Sequence, residues 1–438
     1  MIATIIISAL TCLGIVVTTL AKPNIKIKKY TLNFYWVIAL TGALVLLCST
    51  LVGLDEFWNG LTSNSGINPI QILILFLSMT MISIFLDELG FFARIASFVL
   101  KHTKTNQYLV FIAFYFLVAI LTMFTSNDII ILTLTPFIIF FCKNAKISPI
   151  PYLVSEFVAA NTWSMMFIIG NPTNIYLATS FDINFVEYFK VMAVPTLVCG
   201  LAEFGLLLLL FHKKLKDPIQ HVQEILPNQD KVLTVIGLSI LTICTVFLIL
   251  SSYIDLPMYL ISLISLITLS FAAFIYALIR KRKPKEILHT YVRAPWELVP
   301  FVIGMFTIAL ALKKYEVTSN IANLLGDNYL IWKYGFASFL SANLLNNIPM
   351  SFMYSSVIDA AKGIDSLSLC TPQAIYASII GSNIGAFLTP IGALAGIMWM
   401  GLLKDHEVKF NFLDFIKYGA IISIPVISIA LAILQIFA

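Results

Sequence analysis

Charge is what this sequence has least of. Only 11% of its 438 residues are Asp, Glu, Lys or Arg, against about 25% in an ordinary soluble domain. A chain with so little polar surface cannot face water on all sides, and it leaves no room for a soluble catalytic domain. Cys12, Cys48, Cys142, Cys199, Cys244 and Cys370 are scattered and form no CxxC pair, so neither a disulfide framework nor a thiolate metal cluster organises the fold. No HExxH motif or nucleophile–base arrangement falls within the apolar runs, which argues against an intramembrane enzyme. His212, His221, His289 and His406 sit at or in polar loops. The first apolar run, residues 2–20, has no basic residue before it and no small-residue cleavage pattern after it. It reads as a transmembrane helix and not as a signal peptide.

What the chain has in quantity is apolar length. Hydrophobic residues make up 60% of it, in runs of about 20 residues, enough to cross a hydrocarbon core of about 30 Å. The formal net charge of +5 does not signal nucleic acid, because the basic residues cluster in short loops: 22–29, 94–104, 143–146, 213–231, 280–293 and 404–417. Of the 27 Lys and Arg, Lys190, Lys313, Lys314, Lys333 and Lys362 alone fall elsewhere. Placing the clusters in the cytoplasm, as the positive-inside rule requires, forces a path. Two apolar stretches must then enter and leave by the same face.

The resulting expectation is an all-α polytopic protein of the cell membrane, built from two inverted repeats with both termini outside. Residues 1–211 form the first repeat, with a re-entrant hairpin at 105–143 and a broken helix at 151–180. Residues 212–232 form a cytoplasmic linker. Residues 233–438 form the second repeat, with a hairpin at 329–361 and a broken helix at 371–403. Each half has five crossings and one hairpin. Inverted repeats with a site at mid-membrane depth mark secondary transporters, whereas a passive channel more often has a repeated pore motif.

Four polar interruptions carry the chemistry, two per half. The first hairpin has its midpoint at Thr125, Ser126, Asn127 and Asp128, and the following helix is interrupted at Gly170, Asn171, Pro172, Thr173 and Asn174. The second hairpin turns at Asn346, Asn347 and Pro349, and its broken helix runs through Gly381, Ser382, Asn383 and Gly385 to Thr389 and Pro390. Unwound backbone survives at membrane depth only where protein or a water-filled cavity satisfies it. Pro172 and Pro390 remove donors, and Gly170, Gly381 and Gly385 permit unusual angles and close approach. Freed helix termini and neutral amides would then face the solute.

Among the carboxylates, Asp128 is the leading coupling candidate, because an ionisable group at a hairpin tip is costly to bury. Glu203, inside an apolar crossing, is the second. Asp87 and Glu88 lie within about two turns of Arg94 and suggest pairing near the cytoplasmic end, and Glu156 sits near a helix start.

These motifs resemble the arsenite permease family. The resemblance rests on Leu86-Asp87-Glu88-Leu89-Gly90-Phe91-Phe92, on Ser126-Asn127-Asp128 followed by Thr135-Pro136, and on Asn346-Asn347-Ile348-Pro349. Further along it includes Ser382-Asn383-Ile384-Gly385, Leu388-Thr389-Pro390-Ile391-Gly392, and Tyr418-Gly419 to Pro425. The family belongs to the ion transporter superfamily, with sodium/proton antiporters and sodium-coupled dicarboxylate carriers. Gly170-Asn171-Pro172-Thr173-Asn174 is more similar to the signature of those latter branches. The resemblance implies an elevator mechanism, in which hairpins and broken helices move against a dimeric scaffold.

The function expected is proton-coupled efflux of arsenite or antimonite. The alternatives are sodium-coupled carriage of a carboxylate or inorganic anion, and sodium/proton antiport. The expected partners are a small inorganic or organic solute, a coupling proton or sodium ion, lipid and a second copy of the chain, with no nucleic acid and no cofactor.

Overall fold

The computed structural model describes residues 2–21, 24–27, 30–62, 68–103, 106–216, 219, 230–251, 253–362 and 371–437. Apart from a short antiparallel pairing of Asn24–Ile27 with Tyr30–Asn33, the secondary structure there is helical. The first ten helices are α1 (Ile2–Ala21), α2 (Tyr35–Cys48), α3 (Leu54–Thr62), α4 (Pro69–Glu88), α5 (Phe91–Thr103), α6 (Gln107–Phe124), α7 (Asn127–Ala145), α8 (Ile150–Trp163), α9 (Pro172–Thr179) and α10 (Phe185–Phe211). The second ten are α11 (Lys231–Leu250), α12 (Met258–Ile279), α13 (Lys285–Arg293), α14 (Leu298–Lys314), α15 (Val317–Leu325), α16 (Leu330–Leu345), α17 (Asn347–Lys362), α18 (Thr371–Gly385), α19 (Leu394–Asp405) and α20 (Phe412–Phe437).

The element order therefore runs twice. Two long apolar helices, a short one, a third long one and a short amphipathic one precede a helical hairpin, a broken helix and a closing helix, first as α1–α10 and then as α11–α20. Among the described residues eight helical spans are long and apolar enough to cross a membrane, and α1 and α2 supply shorter apolar stretches. Outward-facing side chains such as Leu209, Val235, Ile267, Phe271 and Leu278 are exposed, an apolar surface that lipid, not water, would cover.

Local signals set the ends. Asn68 caps α4 by accepting from the Ile70 and Gln71 amides at 3.1 and 3.2 Å, with Pro69 in the first turn, where its missing N–H costs nothing. Asn184 and Glu187 cap α10 reciprocally, satisfying two donors that a helix start would otherwise orphan. α4 ends at Glu88, and Gly90 with φ 69° turns the chain into α5. Most of the linker expected at 212–232 lies outside the described residues.

The helices sort into two groups. One packs α2 on α14 and α1, α4 on α12, and α11 on α12. The other packs α16 on α18, α6 and α7 on α8, and α10 on α20. The groups meet largely through the hairpin arms α7 and α17 and the short helices α5 and α15.

Candidate functional site

The first break forms because α8 stops at Trp163 and two 3-10 turns, Ser164–Met166 and Ile168–Gly170, carry the chain to α9. Asn171 caps α9, its Oδ1 accepting from the Thr173 amide and hydroxyl, each at 3.1 Å. The Asn174 amide donates to the Ser164 carbonyl at 2.8 Å, which pairs a carbonyl that the helix no longer uses. A Cβ on Gly170 would come within 2.3 Å of that same carbonyl oxygen. Gly170 serves close approach and not a left-handed turn.

Into this loop reaches Asn383 from α18. Its Nδ2 donates to Asn174 Oδ1 at 2.7 Å and its Oδ1 accepts from Asn171 Nδ2 at 2.8 Å and from Ser164 Oγ at 3.0 Å. The first hairpin joins the same cluster: Asn127 Nδ2 donates to Asn161 Oδ1 at 3.0 Å, one turn before the break. Of the expected tip, Thr125 and Ser126 alone form the turn, since Asn127 and Asp128 already open α7.

The second break is shorter than expected. Gly381, Ser382 and Asn383 remain helical, because α18 runs to Gly385, and the unwound stretch begins only at Ala386. Its 3-10 turn is Pro390–Gly392. The helix tolerates Gly381 because α16 lies against it: a Cβ there would meet Ser338 Oγ at 2.0 Å and the Gly335 carbonyl at 2.2 Å. Asn343 holds the break, donating to the Gly385 carbonyl at 3.0 Å and accepting from the Thr389 amide at 3.0 Å and its hydroxyl at 2.8 Å. Asn346, at the hairpin tip with φ 77°, donates to the Ile391 carbonyl at 3.0 Å. Pro349 lies in the first turn of α17, which opens at Asn347.

Several buried oxygens around these elements have no protein partner: Ser126 Oγ, Asn127 Oδ1, Asn347 Oδ1 and Ser382 Oγ. Each costs free energy unless water or a solute satisfies it. Ser126 and Asn127 stand at the N-terminus of α7 and Asn347 at that of α17, and helix N-termini favour negative or polar atoms. Asp128, in the first turn of α7, is the ionisable residue next to Asn127. The seven ion pairs among the described residues do not include it, and it lies near Tyr35, whose hydroxyl donates to Glu297.

Glu203 is fully buried one layer behind the site. It accepts from Tyr115 Oη at 3.1 Å and from Thr162 Oγ1, and Thr162 adjoins Asn161. Glu156 is buried as well and accepts from Thr135 at 3.0 Å. Asp87 and Glu88 pair with Arg293 and not with Arg94. The sequence reading missed Asn161, Ser164 and Asn343. Asn343 stands within one turn of the recognised tip at Asn346, and that position was the available signal, whereas Asn161 and Ser164 precede Gly170 by nine and six residues and join the site only because α8 already ends at Trp163.

The citrate transporter family profile matches residues 34–381, well over half of the chain. The arsenical pump membrane protein of Escherichia coli is 26% identical, over 82% of this chain and 84% of its own. The putative arsenical pump membrane protein of Bacillus subtilis is 26% identical, over 87% and 89%. Among solved structures, the Alcanivorax borkumensis YdaH transporter matches with a TM-score of 0.59 and 12% identity, over 99% of this chain and 97% of that one, a likeness of fold alone. These findings bear out the resemblance to the arsenite permease family and the polytopic, helical fold.

Proposed function

Because the chain belongs to the citrate transporter family, a family of membrane transporters, we propose that it exports arsenite or antimonite across the cell membrane in exchange for protons. The observation that carries this reading is the neutral cluster of Asn127, Asn161, Asn171, Asn174 and Asn383, with no Lys, Arg or His in its hydrogen bonds. A neutral trihydroxide such as As(OH)3 offers donors and acceptors to amides and needs no fixed cation. A citrate anion at the same depth would call for cationic partners. The names of the relatives support the same substrate.

In this reading the two repeats are inverted, with both termini outside and the linker 212–232 in the cytoplasm. The hairpins, broken helices and closing helices, α6–α10 and α16–α20, move as one body against α1–α5 and α11–α15, and two copies join through the latter. Asp128 carries the proton. One proton entering down ~100 mV and one pH unit releases about 3.7 kcal/mol, which sustains a neutral solute gradient of about 500-fold.

The test is flux in everted vesicles. Arsenite should accumulate when a proton gradient is imposed and collapse with an uncoupler, while citrate should not accumulate. Sodium-dependent citrate uptake without arsenite transport would replace this proposal with sodium-coupled carboxylate carriage.

A further inference from the structure

The third long helix of each half ends in two adjacent charged residues of one sign: Asp87 and Glu88 on α4, Lys313 and Lys314 on α14. In both places the chain then passes a residue with positive φ, Gly90 at 69° and Glu316 at 59°, and enters a short helix. The correspondence runs residue by residue, from 87, 88, 90 and 91 to 313, 314, 316 and 317.

The partners correspond too. Asp87 accepts from Thr133 on the hairpin arm α7 at 2.8 Å, and Arg293 of α13 spans Asp87 at 2.8 Å and Glu88 at 2.5 Å. Lys313 pairs with Asp359 on the hairpin arm α17 at 2.6 Å, and Lys314 pairs with Glu56 of α3 at 2.8 Å. The helices α7 and α17 hold the same place in the repeated order, as do α3 and α13. Each charged end therefore ties its own half's hairpin to the short helix of the other half, with the signs reversed between the two.

We infer that these are two latches of one design, one on each face, and that each holds its hairpin arm against the static helices until it opens. The inference rests on the reading above that the hairpins move. The joints sit where they can control such movement, since α7 and α17 carry much of the contact between the two helix groups. Neither latch touches the amide cluster, so each sets the rate of a conformational step and leaves solute affinity alone. One guanidinium fixes the first by a charge-assisted bond to each of two carboxylates. The second relies on point charges from Lys, which reorient freely, and it is the looser joint.

Spin labels read the latches without any solute, so this test stands or fails apart from the substrate assignment. In a background with the six native cysteines replaced, a pair at Asn144 and Leu288 reports the α7 side, and a pair at Asn59 and Ala360 reports the α17 side. In nanodiscs, Lys313→Met should add a longer distance at the second pair only. Asp87→Asn and the milder Thr133→Val should do so at the first pair only. Exchanging the charges in the double variant Lys313→Asp, Asp359→Lys should restore the short distance. Unchanged distances in well-folded single variants, or a double variant as open as the singles, would overturn the latches.

Discussion

Asn383 Nδ2 lies 2.7 Å from Asn174 Oδ1, and that hydrogen bond joins a broken helix of the second half to one of the first. Asn383 also accepts two hydrogen bonds from the first break, so one side chain registers the two halves against each other. Replacing it by Leu leaves the amides of Asn171 and Asn174 short of partners at about 1–3 kcal/mol each. Asn383→Leu and Asn174→Leu should both reduce arsenite flux by 10-fold or more while the protein still elutes as a single species. Wild-type flux in either variant would reduce the cluster to a purely structural role.

Asn343 gives a second prediction, on stability. It is the brace of the second break, and Asn343→Ala would take from the Thr389 amide and hydroxyl the acceptor they share, at about 1–3 kcal/mol. Asn343→Asp should be worse, because a carboxylate cannot donate to Gly385 and Phe339. Thermal unfolding in detergent should rank the wild type above Ala and Ala above Asp. Equal midpoints would contradict the brace.

The two coupling candidates separate by substitution with an amide. Asp128→Asn keeps size and hydrogen bonding but cannot exchange a proton, so solute binding should persist while uphill transport is lost. If vesicles carrying Asp128→Asn still accumulate solute with an unaltered pH profile, the proton travels elsewhere.

Glu203→Gln should behave differently. Two hydroxyls already point at this carboxylate from Tyr115 and Thr162, and an amide oxygen can accept from one while the other rotates to accept in turn. Gradient-driven flux should fall by no more than a few-fold. Complete loss of coupling in Glu203→Gln would move the coupling role to this layer.

The pairing of Lys314 with Glu56 has a pH signature. The hydrogen bond from Lys314, joined by one from the Gly53 amide, holds the exposed Glu56 carboxyl below its ordinary value. Its contribution is therefore present above the ordinary glutamate pKa of about 4.3 and is lost as pH falls through the lowered value. Distances between labels at Asn59 and Ala360 should stay constant from neutral pH to about 5 and spread only in stronger acid. Spreading at pH 6 would show that a different group holds the joint.

Much of this was legible in the sequence, for reasons that differ by element. The hairpins and breaks could be read because Gly, Pro, Asn and Ser stand out in apolar runs, and the charge bias dictated the return paths. The end of α18 could not, since Gly381 looks like a helix breaker until α16 is seen packed against it. The pairing of Asp87 with Arg293 was hidden by separation: Arg94 is near in sequence, whereas Arg293 comes from the other half. Beyond its place near the tip, nothing in the sequence set Asn343 apart, because the carbonyl it holds lies on another helix.

The close contact at Gly381 has a consequence for binding. With no side chain on Gly381, α18 closes onto α16, and the Ser338 hydroxyl and the Gly335 carbonyl fill the space a Cβ would need. The second hairpin's entering arm and the helix that carries Asn383 then behave as one stiff piece. If Asn383 binds the solute as proposed, the solute meets amides already set in position, so little conformational entropy remains to be lost on capture. Widening that contact with Gly381→Ala would loosen the whole piece, and the solute would then have to order it at each turnover.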